Sequence, residues 1–227
     1  MSHDFRQFDG FSREVVDFLL SLGFKNTMDL LPENKIVYKS LISEPLTLLF
    51  YGLTPVALDV SDTLITKPSK CVSSMYNDMR FSKGTPLKEY MYIRFREPNC
   101  DSDVLGLYFD MGYQGYSYGI RIYNQTSAGM ERIRQGVLGN KKAFARELIN
   151  ISDMGMAIKG NKYVRDRYPD EKPVILKELL NSRSFHIGRD CPVGDAVFSG
   201  ELQEEIAEAY CGLKGMYSLL KKSLYVM

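Results

Sequence analysis

The stretch Tyr90-Met91-Tyr92-Ile93-Arg94-Phe95-Arg96 alternates strictly along its length. Met91, Ile93 and Phe95 fall on one face, whereas the tyrosines and arginines fall on the other. A period of two is typical of a strand that buries one face and leaves the other half-exposed. The stretch therefore predicts a half-buried β-strand.

Two further β-prone runs follow, at residues 104–110 and 116–123. Only residues 111–115 separate them, and that connection contains Gly112 and Gly115. A short, glycine-bearing connection favours an antiparallel hairpin. The middle of the chain is thus predicted to form an antiparallel sheet of at least three strands.

Helical patterns lie on both sides of this sheet. We predict a first helix capped by Ser12, a second over residues 33–42, and a third that restarts at Pro45 and is interrupted at Pro55. After the sheet, residues 126–150 read as helical with a break near Gly139-Asn140. Residues 155–173 read as a polar, basic connection, 176–181 as a short helix and 183–188 as an extended piece.

The last predicted helix runs from Ser199, as its N-cap, to about Lys222. It carries one long apolar stripe, which predicts packing along its whole length; a dimer seam is the alternative. The order of elements predicts a single α+β domain over residues 1–227, with an antiparallel sheet in the middle of the chain covered by helices from both ends.

The composition excludes several classes of protein. The chain has 227 residues, 44% hydrophobic and 25% charged, which argues against disorder, collagen and coiled coils. Twenty-nine basic and 28 acidic residues leave a net charge of +1, so long nucleic acids are disfavoured as partners. With no secretory pattern at the start and no long apolar run, we expect a soluble, cytoplasmic protein with no membrane partner.

The four cysteines, at positions 71, 100, 191 and 211, are widely spaced. Zinc and redox motifs use close pairs, so we expect reduced thiols, no bound metal and no cofactor. His186 is the single histidine outside the N-terminal tail and is interpreted as structural. A Cys71 nucleophile with His186 as its base has no support from spacing.

A local excess of positive charge lies between Tyr76 and Arg96. Five basic residues face two acidic ones there, a local charge of +3 in a nearly neutral chain. Arginine can bind a carboxylate or phosphate through two hydrogen bonds. The segment is therefore either an anion-binding loop that leads into a strand, or a solvated connection in which Asp78 and Arg80 form a structural ion pair.

The same segment carries a family motif. Asp78-x-Arg80-Phe81-Ser82-Lys83 followed by Thr85-Pro86-x-Lys88 resembles the hallmark stretch of domain of unknown function 2461, a bacterial and fungal family. The flanks that support the resemblance are Phe11-Ser12 with Phe18-Leu19, Asn34-Lys35-x-x-Tyr38, and Lys159-Gly160 with Lys162-Tyr163-Val164-Arg165. The chain departs from the family at Asn77, usually arginine, and at Leu87, usually tyrosine. The resemblance supports the fold and draws attention to the motif, but it implies no reaction.

These observations give a set of candidate ligand-binding residues and no catalytic ones. Arg80 and Lys88 would bind an anion, Asp78 would orient Arg80, and Ser82 would supply a hydroxyl. The complete set is Asp78, Arg80, Ser82, Lys83, Lys88 and Arg121.

Two functions follow as expectations. The first is binding of an anionic small molecule, a carboxylate or a phosphate, at a basic site formed by the loop and the sheet. The alternative is a nucleic-acid or protein interaction module that uses the basic, tyrosine-bearing strand Tyr90–Arg96. Convergence of Arg80, Lys88 and Arg121 on one pocket would favour the first, and a flat basic face the second.

Overall fold

A computed structural model describes residues 7–78, 80, 84–98 and 100–225 of the chain. Its centre is a five-stranded sheet, in the order β1-β2-β3-β5-β4, in which every neighbouring pair is antiparallel. The strands are β1 Tyr90–Arg96, β2 Val104–Gly112, β3 Gly115–Tyr123, β4 Ala157–Lys162 and β5 Ser182–Pro192. The three predicted strands, which are β1, β2 and β3, are confirmed.

Helices precede and follow the three consecutive strands β1 to β3. They are α1 Glu14–Lys25, α2 Leu31–Tyr38, α3 Glu44–Val60, α4 Pro68–Cys71, α5 Ser127–Gly139, α6 Lys141–Asp153, α7 Lys177–Leu180 and α8 Glu201–Leu224. The break predicted near Gly139-Asn140 separates α5 from α6.

Helices from both ends of the chain pack on the apolar face of the sheet. Phe50 of α3 stacks on Phe95 of β1, with the ring centroids 5.3 Å apart. On α8, Glu205 accepts a 2.7 Å hydrogen bond from the hydroxyl of Tyr118 on β3. The buried side chains form one continuous core, so the predicted α+β domain with a central antiparallel sheet is confirmed.

The predicted C-terminal helix is present and its apolar stripe is buried. It begins at Glu201 rather than at Ser199, whose hydroxyl accepts a 3.3 Å hydrogen bond from the Glu201 amide. Leu202, Ile206, Ala209, Tyr210, Leu213, Met216, Tyr217, Leu220 and Leu224 are all buried within the chain.

Several predictions about the element boundaries are wrong. Pro55 does not interrupt α3, which continues to Val60. Pro55 lies on the exposed side, next to exposed Tyr51, so water can bind the carbonyl that loses its partner. Residues 155–173 are not all connection, because Ala157–Lys162 forms the edge strand β4.

The helices at residues 31–60 form one continuous run. A π-helical turn, Lys39–Ser43, joins α2 to α3, so the helix predicted over 33–42 has no break before Pro45. This run, Leu31–Val60, is long and apolar enough to cross a membrane by length and composition alone. Six of the α3 side chains are instead packed in the core.

Candidate functional site

The second face of the sheet carries mostly polar and tyrosyl side chains. We call it the open face; its side chains come in rows, because residues paired across antiparallel strands point the same way. One row contains Arg121, His186 and Lys159, and a second contains Arg94, Tyr108, Gly119 and Gly188. The third row contains Tyr92, Asp110, Ser117 and Asp190.

Arg94 lies between two tyrosine rings on this face. Its guanidinium carbon is 3.7 Å from the ring centroid of Tyr92 and 5.4 Å from that of Tyr123. Its nearest acid is Asp110, with 4.0 Å between Arg94 Nη2 and Asp110 Oδ1. Within the described part of the chain Arg94 makes no hydrogen bond, and its Nε is buried without a partner. A cation whose donors are unused is prepared to bind an anion.

Arg121 reaches the same carboxylate from the other side. Its guanidinium lies 4.2 Å from the ring centroid of Tyr108, and its Nη1 donates a 2.7 Å hydrogen bond to Asp110 Oδ2. Asp110 Oδ1 is buried and has no hydrogen-bond partner among the described residues. Burial raises the pKa of Asp110, and the opposing effects of Arg121 and Arg94 do not cancel it.

Two glycines in the second row leave space for the side chain of Tyr108. The strands put Gly119 and Gly188 beside Tyr108, and a Cβ on Gly188 would come within 2.2 Å of the Tyr108 hydroxyl. Tyr108 is 0% exposed, and its hydroxyl has no hydrogen-bond partner in the described structure. The ring of Tyr108 therefore lies directly beneath the guanidinium of Arg121.

Arg94, Asp110 and Arg121 line a groove with a volume of ≈ 750 Å³. We call it the sheet groove; its polar lining residues are Tyr90, Arg94, Asp110, Gln114, Tyr116, Ser117, Arg121, Asp190 and Cys191. The side chains of Arg94 and Arg121 are 26% and 27% exposed, so both are held in place and still accessible. This volume suits a small molecule.

His186 lies in the first row, directly between Arg121 and Lys159. Its ring is 6.1 Å from that of Tyr108, in an edge-on contact. Burial lowers the pKa of His186, and Arg121 and Lys159 lower it further, while Asp190 opposes them. The imidazole is therefore neutral near pH 7.

The residues predicted from the sequence separate into groups. Arg80 binds Asp78 through two nitrogens, at 2.9 Å from Nε and 2.6 Å from Nη2, on an exposed loop. The pKa of Asp78 is lowered by its hydrogen bonds from Arg80, as expected for an exposed local ion pair. Neither residue lines the sheet groove. Ser82 and Lys83 lie outside the described residues.

Lys88 and Arg121 both reach the open face, at different places. Lys88 Nζ donates to the carbonyl of Ser74 at 2.8 Å and lies 5.8 Å from the ring centroid of Tyr92. Burial and then Arg94 lower the pKa of Lys88. Lys88 therefore contacts Tyr92, which contacts Arg94, but Lys88 does not itself line the sheet groove.

Sequence reasoning missed Arg94 and Asp110 as site residues. Alternation in β1 already placed Arg94 on the polar face, and alternation in β2 would have placed Asp110 on the same side as Tyr108. Their convergence depends on the pairing register, which the sequence did not supply. Among the described residues, no group of three or more His, Cys, Asp and Glu side chains is placed to hold a metal ion. The four cysteines are unpaired.

The comparisons with known proteins agree with the motif at Asp78–Lys88. A family model described as "Conserved hypothetical protein (DUF2461)" matches residues 14–218, which confirms the suspected family. The comparison with curated proteins found no match.

Proposed function

Since the chain belongs to the DUF2461 family, whose description names no reaction, we propose its function from the sheet groove. The protein binds an anionic small molecule, a carboxylate or a phosphate, on the open face of its sheet. Arg94 is the main anion-binding residue and Arg121 the second. Lys88 contributes positive charge from its position beside Tyr92.

The observation that carries this proposal is the state of Arg94. Its side chain is 26% exposed in a groove of ≈ 750 Å³, yet it makes no hydrogen bond in the described part of the chain. Arginine has five N–H donors in a planar fork that matches a carboxylate or a phosphate. Tyr92 and Tyr123 fix the guanidinium plane, which lowers the entropy cost of binding.

The site differs from the one that the motif indicated. Arg80 pairs with Asp78 on the exposed loop, so we assign the anion to Arg94 and Arg121 and leave Arg80 outside the groove. We keep a cytoplasmic location in the proposal, because four unpaired thiols suit a reducing compartment.

Calorimetric titration with succinate and with inorganic phosphate tests the proposal. We expect Arg94→Gln to weaken binding by about tenfold or more, since a charge-assisted pair is worth about 1.5–3 kcal/mol. Arg183→Gln is the matched control, because Arg183 is an exposed arginine on β5 outside the groove. Equal affinity in the wild type and Arg94→Gln would contradict the proposal.

One observation favours the alternative, an interaction module for nucleic acids. Tyr90 is 46% exposed and stacks on Tyr92, with ring centroids 6.2 Å apart. Arg94 already covers Tyr92 at 3.7 Å, however, and Tyr108 is wholly buried, so few rings are available to stack on bases. Salt-sensitive binding of a single-stranded oligonucleotide that Tyr90→Ala abolishes would favour this alternative.

A further inference from the structure

We propose that the ligand of the sheet groove carries an amino group beside its anionic group, as amino acids and amino-phosphates do. This inference rests on the proposed anion site and names the class of molecule that the site takes. The anionic group binds Arg94 and Arg121. The amino group binds what we call the acidic row, which is Asp110, Ser117 and Asp190.

The acidic row is a direct consequence of strand register. Asp110 on β2 pairs with Ser117 on β3, and Ser117 pairs with Asp190 on β5, so the three side chains share the open face. Neighbouring strands are about 4.8 Å apart, which puts the two carboxylates about 10 Å apart at their backbones. Ser117 is small, so it leaves room between them for an amino group that donates hydrogen bonds to both carboxylates.

Each member of the row has a hydrogen-bond acceptor for an amine. Asp110 Oδ1 makes no hydrogen bond in the described structure and lies 4.0 Å from Arg94 Nη2, while Oδ2 is bonded to Arg121. Lys159 Nζ lies 2.6 Å from Asp190 Oδ2, and Asp190 is 69% exposed, which leaves its second oxygen accessible. Ser117 supplies a hydroxyl oxygen.

The charge of the groove also fits an amino-bearing anion better than a bare anion. Its lining contains two arginines, Arg94 and Arg121, and two acids, Asp110 and Asp190. A bare anion would be attracted by the first pair and repelled by the second. A ligand with both charges places each group beside its opposite.

Two matched probe pairs test the inference by calorimetry. Succinate and L-aspartate share two carboxylates and differ by an amino group; ethyl phosphate and phosphoethanolamine differ in the same way. We expect the amino member of at least one pair to bind about tenfold or more tightly than its partner. The pair that shows the effect tells a carboxylate site from a phosphate site.

Variants then assign the effect to the row. Asp190→Asn is on the exposed side and does not disturb the packing, and Asp110→Asn keeps the shape of the buried acid. Each should remove most of the preference for the amino member, measured as the ratio of the two affinities within a pair. Asp62→Asn, at an exposed position outside the groove, is the control and should change neither.

The outcomes separate the two proposals. Equal affinities within both pairs, lost together in Arg94→Gln, would overturn the amino inference and keep the anion site. A preference that survives both Asp110→Asn and Asp190→Asn would overturn the role of the acidic row. If none of the four probes binds, both proposals fail.

Discussion

Arg121 Nη1 donates a 2.7 Å hydrogen bond to Asp110 Oδ2, although the two residues are not directly paired across β2 and β3. Arg121 pairs with Gly106, and its side chain passes over the ring of Tyr108 to reach the carboxylate. The bond occupies one donor of Arg121 and leaves Arg94, at 4.0 Å, without a hydrogen bond. Asp110 therefore competes with any incoming anion for the N–H donors of Arg121. The donors of Arg94 stay available to the anion.

The stability contribution of Asp110 should decrease as pH rises. Burial raises the pKa of Asp110 in the folded state above the usual carboxyl value. A folded-state pKa above the unfolded value means that the folded protein binds more protons, so this stabilisation exists at low pH and is lost as pH rises through the folded pKa. Asp110→Asn cannot ionise, and its stability relative to the wild type should therefore improve between about pH 4 and about pH 7.

Urea denaturation of the wild type and Asp110→Asn across that range measures the effect. Asp62→Asn, which changes an exposed acid, should show a smaller pH dependence of the difference. If the wild type gains stability over Asp110→Asn as pH rises, the ion pair with Arg121 outweighs burial and the prediction is wrong.

Glu97 should show the opposite pH dependence. Burial raises its pKa, but hydrogen bonds from Thr63, Ser61 and Lys221 outweigh burial and hold the pKa below its usual value. Its stabilisation is therefore present above the unfolded pKa and is lost as pH falls through the folded pKa. Glu97→Gln should cost about 1–3 kcal/mol at neutral pH, because hydrogen bonds to a charged group are worth about that much.

The same variant should lose its disadvantage in acid. We expect the unfolding free energies of the wild type and Glu97→Gln to converge below about pH 4 in urea titrations. Tyr217→Phe removes the 3.0 Å hydrogen bond from the Tyr217 hydroxyl to Glu97 and keeps the ring. Its free energy of unfolding should therefore fall by less than that of Glu97→Gln. A constant difference at every pH would show that Glu97 acts through packing alone.

The sequence predicted β1, β2 and β3 and missed the edge strand β4 for one physical reason. The β1 pattern alternates because one of its faces is buried, whereas β4 is mostly exposed, so hydrophobic alternation does not mark it. The backbone of β4 is held by pairing with β5, as in Ile158 with Ile187. Such pairing depends on a partner strand more than twenty residues away in the sequence.

The candidate site was predicted only in part for a similar reason. Charge density along the chain pointed to Arg80, because nearby basic residues can be counted in the sequence. Arg94, Asp110 and Arg121 come from three different strands, and they converge through register. Local composition describes only residues that are close in the sequence. It cannot identify residues from different strands that the sheet brings together.

Gly188→Ala should disturb both the fold and the groove. A Cβ at this position would lie 2.2 Å from the Tyr108 hydroxyl and 2.8 Å from the Tyr118 carbonyl oxygen. Because overpacking of this kind costs about 1–3 kcal/mol, we expect a lower unfolding free energy. Displaced Tyr108 would also move Arg121, which rests on its ring, so succinate should bind more weakly.

Gly194→Ala is the matched control, because nothing lies within 4 Å of a Cβ there. It should leave both the midpoint of urea unfolding and the affinity for succinate unchanged. If Gly188→Ala behaves like this control, Gly188 does not fix the position of Tyr108, and the described packing of Tyr108 against Gly188 and Arg121 is wrong.

Removal of the second half of α8 should unfold the protein. Leu213, Met216, Tyr217 and Leu220 are each 0% exposed, and α8 packs against α3, α5 and α6. Burial of a large apolar side chain is worth about 1.5–3 kcal/mol, and a domain is stable by only about 5–15 kcal/mol. A chain that ends at Gly212 should therefore show no cooperative melt by circular dichroism, whereas Lys222→Ala, on the exposed side of the helix, should melt like the wild type.

The apolar stripe of α8 is already covered inside the chain, so a dimer interface would have to use other residues of α8. Sizing chromatography beside the melts separates the two roles: a truncated chain that keeps its melting temperature and loses only oligomerisation would contradict the core role of α8.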